Sequence, residues 1–415
     1  MYECKIFTYV SIPYTVYCLS KVPCYFRVLQ RALYKKCSYH CSTINLTVIR
    51  SRRNEVSARS QRRNHFYLLC RIENMTKKRV LLLVLAICVC FVICAIIILG
   101  VTLAPSASEI HDGLFLKRPG KLIIDTDAGA DDAMAILLTL ASQKIDEGNL
   151  EILAFTCVNG NTKVDNVVTN VLKTLTIAKR SDIPVYIGAA ESLAPSSAFD
   201  ADFFGKDGLG DFDFKEDIII EPVKNKTAPD ALVEIINQYP GEVTILTLGP
   251  LTNIALAINL DSSFSSKVKQ FISMSTSGKR GELEFNAEFD RKSYDIVAKA
   301  EKNQTMVILP LSVAKNAAIS KKWRKEVFGK SNSSVVNFLN LAERVALPKM
   351  SPGWSPPDQM TAVVMLWPKL ILKSEIRDPL AEVSRNDIKN DAKEALFVQS
   401  LDVDKFKEAL LHYIP

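Results

Sequence analysis

Lys121-Leu122-Ile123-Ile124-Asp125-Thr126-Asp127-Ala128-Gly129-Ala130-Asp131-Asp132 joins an apolar run to a helical one across a glycine turn. Leu122, Ile123 and Ile124 follow one another without a polar break, the pattern of a strand buried on both faces. The spacing of Ala133, Ile136, Leu137 and Leu140 predicts a helix over Asp132–Ala141. Four carboxylates fall within eight residues of this junction. Asp125 and Asp127 are two apart and lie on the same side of the strand, while Asp131 and Asp132 sit where helix amides favour negative charge. One Asp at a helix start is an ordinary cap. Four close carboxylates exceed what capping needs, and like charges repel unless protons or a cation neutralise them. Oxygen donors without His or Cys fit Ca²⁺ or Mg²⁺ better than Zn²⁺. A phosphatase of the Asp-x-Asp type is a competing reading of Asp125 and Asp127, although its nucleophile loop does not need the Gly-x-Asp-Asp continuation.

The pattern repeats outward. Glu151–Cys157 reads as a second strand and Val164–Ala178 as a second helix, with further apolar runs at Pro184–Ile187, Val243–Leu248, Val268–Met274 and Met306–Leu311. Strands alternating with helices predict an α/β fold, a Rossmann-like, mostly parallel sheet with helices on both faces, over residues 120–415. Ligands of such sheets bind beyond the carboxyl ends of the strands, so the loops after the strands are where chemistry is expected.

The 415-residue chain carries 52 Lys and Arg against 45 Asp and Glu, a formal +7. Its composition excludes collagen-like and wholly disordered classes. Residues 1–79 hold sixteen Lys or Arg and only Glu3, Glu55 and Glu73, so the remainder is net acidic and nucleic acid is not an expected partner. Between the two parts lies Val80–Leu103, twenty-four residues with no charge and Thr102 as the one polar side chain. About 20 apolar residues span a bilayer, whereas a signal-peptide core has roughly 7–15, so this run predicts a membrane anchor or signal-anchor. A buried core helix is the alternative. Lys77, Lys78 and Arg79 flank its start, which places the N-terminus in the cytosol and residues 104–415 outside or in a lumen; cleavage near Ala104–Ser108 would make the product secreted. Residues 1–79 read as a basic, poorly ordered tail, within which Met75 begins a second plausible start, and residues 104–119 as a linker. Cys157 is the sole cysteine after the anchor, and sequons stand there at Asn225, Asn303 and Asn332.

The segment D-T-D-A-G-A-D-D resembles the N-terminal fingerprint of the inosine-uridine preferring nucleoside hydrolases. Further blocks follow in that family's order over roughly residues 120–370: Val158-Asn159-Gly160-Asn161, Gly249-Pro250-Leu251-Thr252-Asn253, Glu284-Phe285-Asn286 with Asp290 four on, and Asp358 ahead of a helical run Thr361–Trp367. The resemblance implies Ca²⁺-dependent hydrolysis of the N-glycosidic bond of ribonucleosides to ribose and free base. Asp127, Asp132, the Thr252 carbonyl and Asp358 would hold Ca²⁺, and Asp127 would act as general base on the metal-activated water that attacks C1′. Asp131, Asn161, Glu284, Asn286 and Asp358 would hold the ribose hydroxyls. In isolation Asn161 reads as a turn residue and Glu284 as a surface charge.

The chain departs from the family at the leaving base. The family often has His immediately before the last Asp and another in a Gly-Leu-Gly loop; Pro357 and Phe204 stand there instead. The four His (40, 65, 111, 412) fall in none of the candidate loops, so protonation of the base by His is not available. Trp354, in the loop SPGWSPPD, is a candidate base stack together with Phe203 and Phe204, its alternative role being packing. The resulting expectation is a membrane-anchored nucleoside hydrolase. A nucleoside- or ribose-binding ectodomain of low turnover is the alternative, and a homo-oligomer is left open in either case.

Overall fold

The computed structural model describes residues 116–145, 150–194, 202–279, 282–300, 306–383 and 394–414, together with Leu85 and Val89. The chain divides into two units, 1–101 and 102–415, and the fold below is that of the second. The expected anchor at 80–103 lies outside the described residues, save those two positions. Among the described residues no helix is long and apolar enough to cross a membrane.

One eight-stranded sheet organises the domain, in the order β3-β2-β1-β4-β5-β6-β8-β7. The strands are β1 (Lys121–Thr126), β2 (Glu151–Cys157), β3 (Val185–Ile187), β4 (Val243–Thr247), β5 (Gln270–Met274), β6 (Met306–Leu309), β7 (Ile371–Arg377) and β8 (Ala395–Leu401). Every neighbouring pair is parallel except β7 with β8. The helices that matter here are α1 (Ala130–Ile145), α2 (Val164–Ala178), α3 (Ala228–Gln238), α4 (Thr252–Leu260), α5 (Phe285–Phe289), α6 (Arg291–Ala300), α7 (Leu311–Asn316), α8 (Lys321–Glu326), α9 (Ser334–Ala342), α10 (Pro357–Leu366) and α11 (Val403–Tyr413).

Strand periodicity divides the core into two layers. Leu122, Ile124, Leu246 and Val307 pack with residues of α1, α2, α9, α10 and α11 on one face. Ile123, Ile245, Phe271 and Ile308 pack with α3, α4 and α6 on the other. Successive side chains of a strand point to opposite faces, so these apolar runs require both faces to be covered.

The strand order locates the crevice. From β1 the chain moves outward to β2 and β3, then returns to β4 on the other side of β1 and moves away through β5 and β6. The loops after β1 and β4 therefore part company at a topological switch point, the place where parallel α/β sheets open a ligand crevice.

Candidate active site

At the end of β1 the chain makes a strained turn: Ala128 has φ of 41°, in the left-handed region that a residue with a Cβ seldom adopts. Its amide donates to Thr126 Oγ1 (3.0 Å), and its carbonyl accepts from Asn170 Nδ2 of α2 (3.1 Å). The turn starts α1 at once, so Asp131 and Asp132 stand in its first turn.

Asp132 is fixed on several sides. One carboxylate oxygen accepts from Thr126 Oγ1 (2.6 Å), the other from the Gly129 amide (2.9 Å) and Asn161 Nδ2 (3.3 Å). It also makes carboxyl–carboxyl contacts with Asp127 and Asp358, which require a shared proton or a cation between them. Asp127 Oδ2 accepts from the Asn161 amide at 2.8 Å, while its Oδ1 is buried without a partner.

Two close approaches hold Asp127 in this posture. A Cβ on Gly160 would lie 2.1 Å from Asp127 Oδ2, and one on Gly249 would lie 2.9 Å from Asp127 Cβ. Only glycine lets the loops after β2 and β4 come so near.

Asp358 completes the cluster from the first turn of α10. One oxygen each from Asp131, Asp132 and Asp358 lie within 4.8 Å of one another, all three residues buried. Burial is the main cause that lifts the carboxyls of Asp127, Asp131 and Asp358 well above the usual range, and neighbouring negative charge adds to it. Asp132 is raised too, its hydrogen bonds opposing the effect. Four buried acids with an orphaned carboxylate oxygen and an oxygen-only donor set fit a hard divalent cation. Asp127 joins the cluster through Asp132. Thr252 opens α4, three residues past Gly249, and its Oγ1 donates to Asp290 Oδ2 (2.8 Å).

A cavity of about 410 Å³ opens above these acids. Asp131, Asn161, Glu284, Asn286 and Asp358 all line it, so five of the residues expected at the sugar converge. Glu284 is no surface charge: it is buried and its carboxylate accepts from the amides of Thr276 (3.0 Å), Asn286 (2.8 Å) and Ala287 (2.8 Å), capping α5. Burial still pushes it up to about 7, the three amides opposing. Asn286 gives its Nδ2 to the Leu248 and Met274 carbonyls (2.6 and 3.1 Å), which leaves its Oδ1 as the acceptor for a ligand hydroxyl. Asn161 is both turn and wall, since its backbone holds Asp127 and its side chain faces the cavity.

Two expectations need correction. Asp125 does not converge with the other acids: its Oδ2 accepts from Thr156 Oγ1 (2.6 Å) and Asn253 Nδ2 (2.8 Å), and burial pushes it up to about 7. It acts behind the site, where Asn253 also ties the Cys157 carbonyl (3.0 Å) to the Ala189 amide (2.9 Å). Trp354 is not a base stack. It is fully buried outside the cavity lining, donating Nε1–H to Glu343 (2.9 Å) among Trp323, Phe328 and Arg324. Arg324 and Glu343 form a buried ion pair at 2.7 Å, and the indole satisfies the second carboxylate oxygen of that pair.

The rim is aromatic and cationic. Phe203 and Phe204 line it as an edge-to-face pair with centroids 4.8 Å apart, and Pro357 lines it beside Asp358. Lys349 clamps the Phe203 loop by donating to the Asp202 and Phe203 carbonyls (2.6 and 3.0 Å). Lys315, Ser351 and Ser355 complete this side. Neither lysine carries a local sequence signal, because a lysine in a short helix reads as solvated. Of the four His, only His412 lies among the described residues, and it meets the Tyr413 ring edge-on rather than the cavity.

The sequence profile described as "Inosine-uridine preferring nucleoside hydrolase" matches residues 122–408. Uridine nucleosidase 1 of Arabidopsis thaliana is 45% identical over 164 residues, 39% of this chain and 47% of that protein. The pyrimidine-specific ribonucleoside hydrolase RihA of Salmonella arizonae is 33% identical over 180 residues, 42% of this chain and 56% of that protein. Those alignments span about half the length of each relative. Among solved structures, the plant nucleoside hydrolase PpNRh1 superposes with a TM-score of 0.62 at 26% identity, covering 72% of this chain and all of that one. A purine-preferring ribonucleoside hydrolase from Gardnerella vaginalis, at 20% identity and a TM-score of 0.61 over 71% of this chain and 98% of that one, shares the fold.

Proposed function

Because the chain belongs to the inosine-uridine preferring nucleoside hydrolase family over residues 122–408, we propose that it hydrolyses ribonucleosides to ribose and free base. The names of the uridine and pyrimidine hydrolases it resembles make uridine the first substrate to try. The observation that carries the reading is Asp127: a buried carboxylate with one oxygen held by the amide of Asn161, itself a cavity-lining residue, and the other left without a hydrogen-bond partner. A nucleoside-binding module has no need of an unpartnered base in that position.

Asp127, Asp131, Asp132 and Asp358 are the side chains that would hold Ca²⁺, with the Thr252 carbonyl as a further ligand implied by the family. When bound, the ion neutralises the cluster and acidifies water near it. The protein groups do the rest. Asp127 takes a proton from the water that attacks C1′. Asp131, Asn161, Glu284 and Asn286 hold the ribose hydroxyls and orient the ring for a transition state with oxocarbenium character. The apolar wall formed by Leu248, Met274 and Phe285 excludes bulk water from the sugar.

Ribose release from a panel of purine and pyrimidine nucleosides by the full chain tests this. Turnover that Asp127→Asn abolishes is the expected outcome. Binding of ribose and Ca²⁺ with no ribose released from any nucleoside would leave a binding module and end the enzymatic reading.

The membrane placement is part of the same proposal: residues 80–103 anchor the chain once, with the catalytic domain outside or in a lumen, unless cleavage secretes it. The charge flank at Lys77–Arg79 supports it. So does the exposure of the Asn225 and Asn332 sequons, where glycans meet no steric bar. A mobility shift on deglycosylation of the expressed protein is expected, and a full chain recovered without membrane and without glycan contradicts it.

A further inference from the structure

Breaking the C1′–N bond sends an electron pair to the base, and the acids that form the cavity floor cannot stabilise it. The lining side chains with a hydrogen to offer are few. Asn286 has given its amide hydrogens to two carbonyls, and Asn161 Nδ2 bonds Asp132. Lys349 is engaged with the Asp202 and Phe203 carbonyls. Ser351 and Ser355 offer hydroxyls, that of Ser355 buried without a partner, but a neutral hydroxyl is a weak partner for an anion. Lys315 differs from all of these. Among the described residues its ammonium makes no ion pair or hydrogen bond, and it lines the cavity four residues after Leu311, on the same face of α7.

The fold brings it there from a definite direction. The amides of Leu311 and Ser312 bond the carbonyls of Thr276 and Ser277, so α7 starts against the loop that leads to Glu284. Beyond α7, Ile319 pairs with Trp354 by two backbone hydrogen bonds (2.9 and 2.8 Å), joining α7 to the rim segment that carries Ser355 and Pro357. Lys315 thus reaches in between the sugar-binding loop and the rim.

Resting on the hydrolase reading, we infer that Lys315 is the catalytic residue that stabilises and protonates the departing base. As the water oxygen bonds C1′, the C1′–N pair moves to the base, which leaves as an anion delocalised over its ring and carbonyl oxygens. An Nζ–H of Lys315 donates to that anion and transfers its proton, giving neutral base. Asp127 meanwhile holds the proton taken from water and releases it to solvent, from which Lys315 regains one. Bases that leave readily as anions, such as uracil, are then favoured over those that must be protonated first.

The test compares uridine with p-nitrophenyl β-D-ribofuranoside, whose phenolate departs without help, using the full-length enzyme. In Lys315→Met the ratio of kcat/KM for uridine to that for the nitrophenyl riboside falls at least ten-fold. Lys315→Arg, which keeps a cation with N–H donors at this position, recovers part of the ratio. An equal loss on both substrates overturns the inference, since it marks a sugar-holding or structural role. A selective loss in Ser355→Ala with none in Lys315→Met also overturns it, in favour of the hydroxyl. No turnover of either compound by the wild-type chain overturns the hydrolase reading and this inference together, whereas turnover of both with an unchanged ratio in Lys315→Met overturns this inference alone.

Discussion

The floor and the rim of the cavity are built on different principles. The floor is a cluster of four buried acids at the starts of two helices and the end of a strand, of which Asp131 and Asp358 reach the cavity and Asp127 and Asp132 lie behind them, cross-braced by hydrogen bonds from Thr126, Gly129 and Asn161 and hemmed in by Gly160 and Gly249. The rim is a set of aromatic, proline, serine and lysine side chains on loops and short helix ends, with Phe204 and Pro357 standing where the resemblance would place His. The floor concentrates negative charge that only a cation or protons can offset, so each part of it is committed to one chemistry. The rim lies on the side proposed to face the leaving base, and among its described residues Lys315 makes no ion pair or hydrogen bond. Its composition can vary without disturbing the sugar site.

The largest expected effect is on the floor. Asp127→Asn removes the base while keeping the hydrogen bond from Asn161 possible, and kcat should fall by about 10²–10⁴-fold; a loss under ten-fold would show that the floor is not where the water is activated. Next is the response to pH without added cation. Glu284 sits at about 7 against an ordinary value near 4.5, so its contribution to stability is full below pH 4.5 and lost as pH rises through 7, about 3 kcal/mol by linkage. Asp125, also at about 7, acts in the same direction. The metal-free protein should therefore unfold at a lower temperature at pH 8 than at pH 5, and Ca²⁺ should raise the midpoint more at pH 8, where it competes with fewer protons. A midpoint that rises with pH in chelator would mean that the acids are already neutralised by other means.

Gly160→Ala tests the bracing rather than the charge. Its new Cβ would meet Asp127 Oδ2 at 2.1 Å, and displacing the base by this much should lower kcat by about 10²-fold with the fold intact. The smallest effect belongs to the rim's support. Trp354→Phe leaves Glu343 without its indole donor and should cost about 1–3 kcal/mol in thermal or urea unfolding, with kcat/KM unchanged. A changed preference among bases would return Trp354 to the site.

The same contrast explains what could be read from the chain. The strand–turn–helix of Lys121–Ile145 announced itself because the apolar run, the glycine and the acids are contiguous, and β2 and α2 were legible at their observed bounds. Asp358 and Glu284 were legible only as parts of an ordered series of blocks. The C-terminal β7, β8 and α11 were not recognised: β7 is an edge strand with irregular register and a half-exposed sequence, ILKSEIR, whose pattern lacks a clean period of two. Trp354 reads as a loop residue because its partners, Arg324 of α8 and Glu343 at the end of α9, are distant in sequence and their burial is a property of the packed fold. Asp125 was grouped with its neighbours because spacing fixes a side of the strand but not how far along the crevice a carboxylate sits.

The buried acids at the switch point are proposed to hold a divalent cation and, with it, to hydrolyse a nucleoside. Ribose released from uridine by the full chain should be measured in Ca²⁺, after chelation, and after Ca²⁺ is restored. Turnover, its loss on chelation and its return with Ca²⁺ are the expected results. Ribose formed at the same rate in chelator would contradict the proposal.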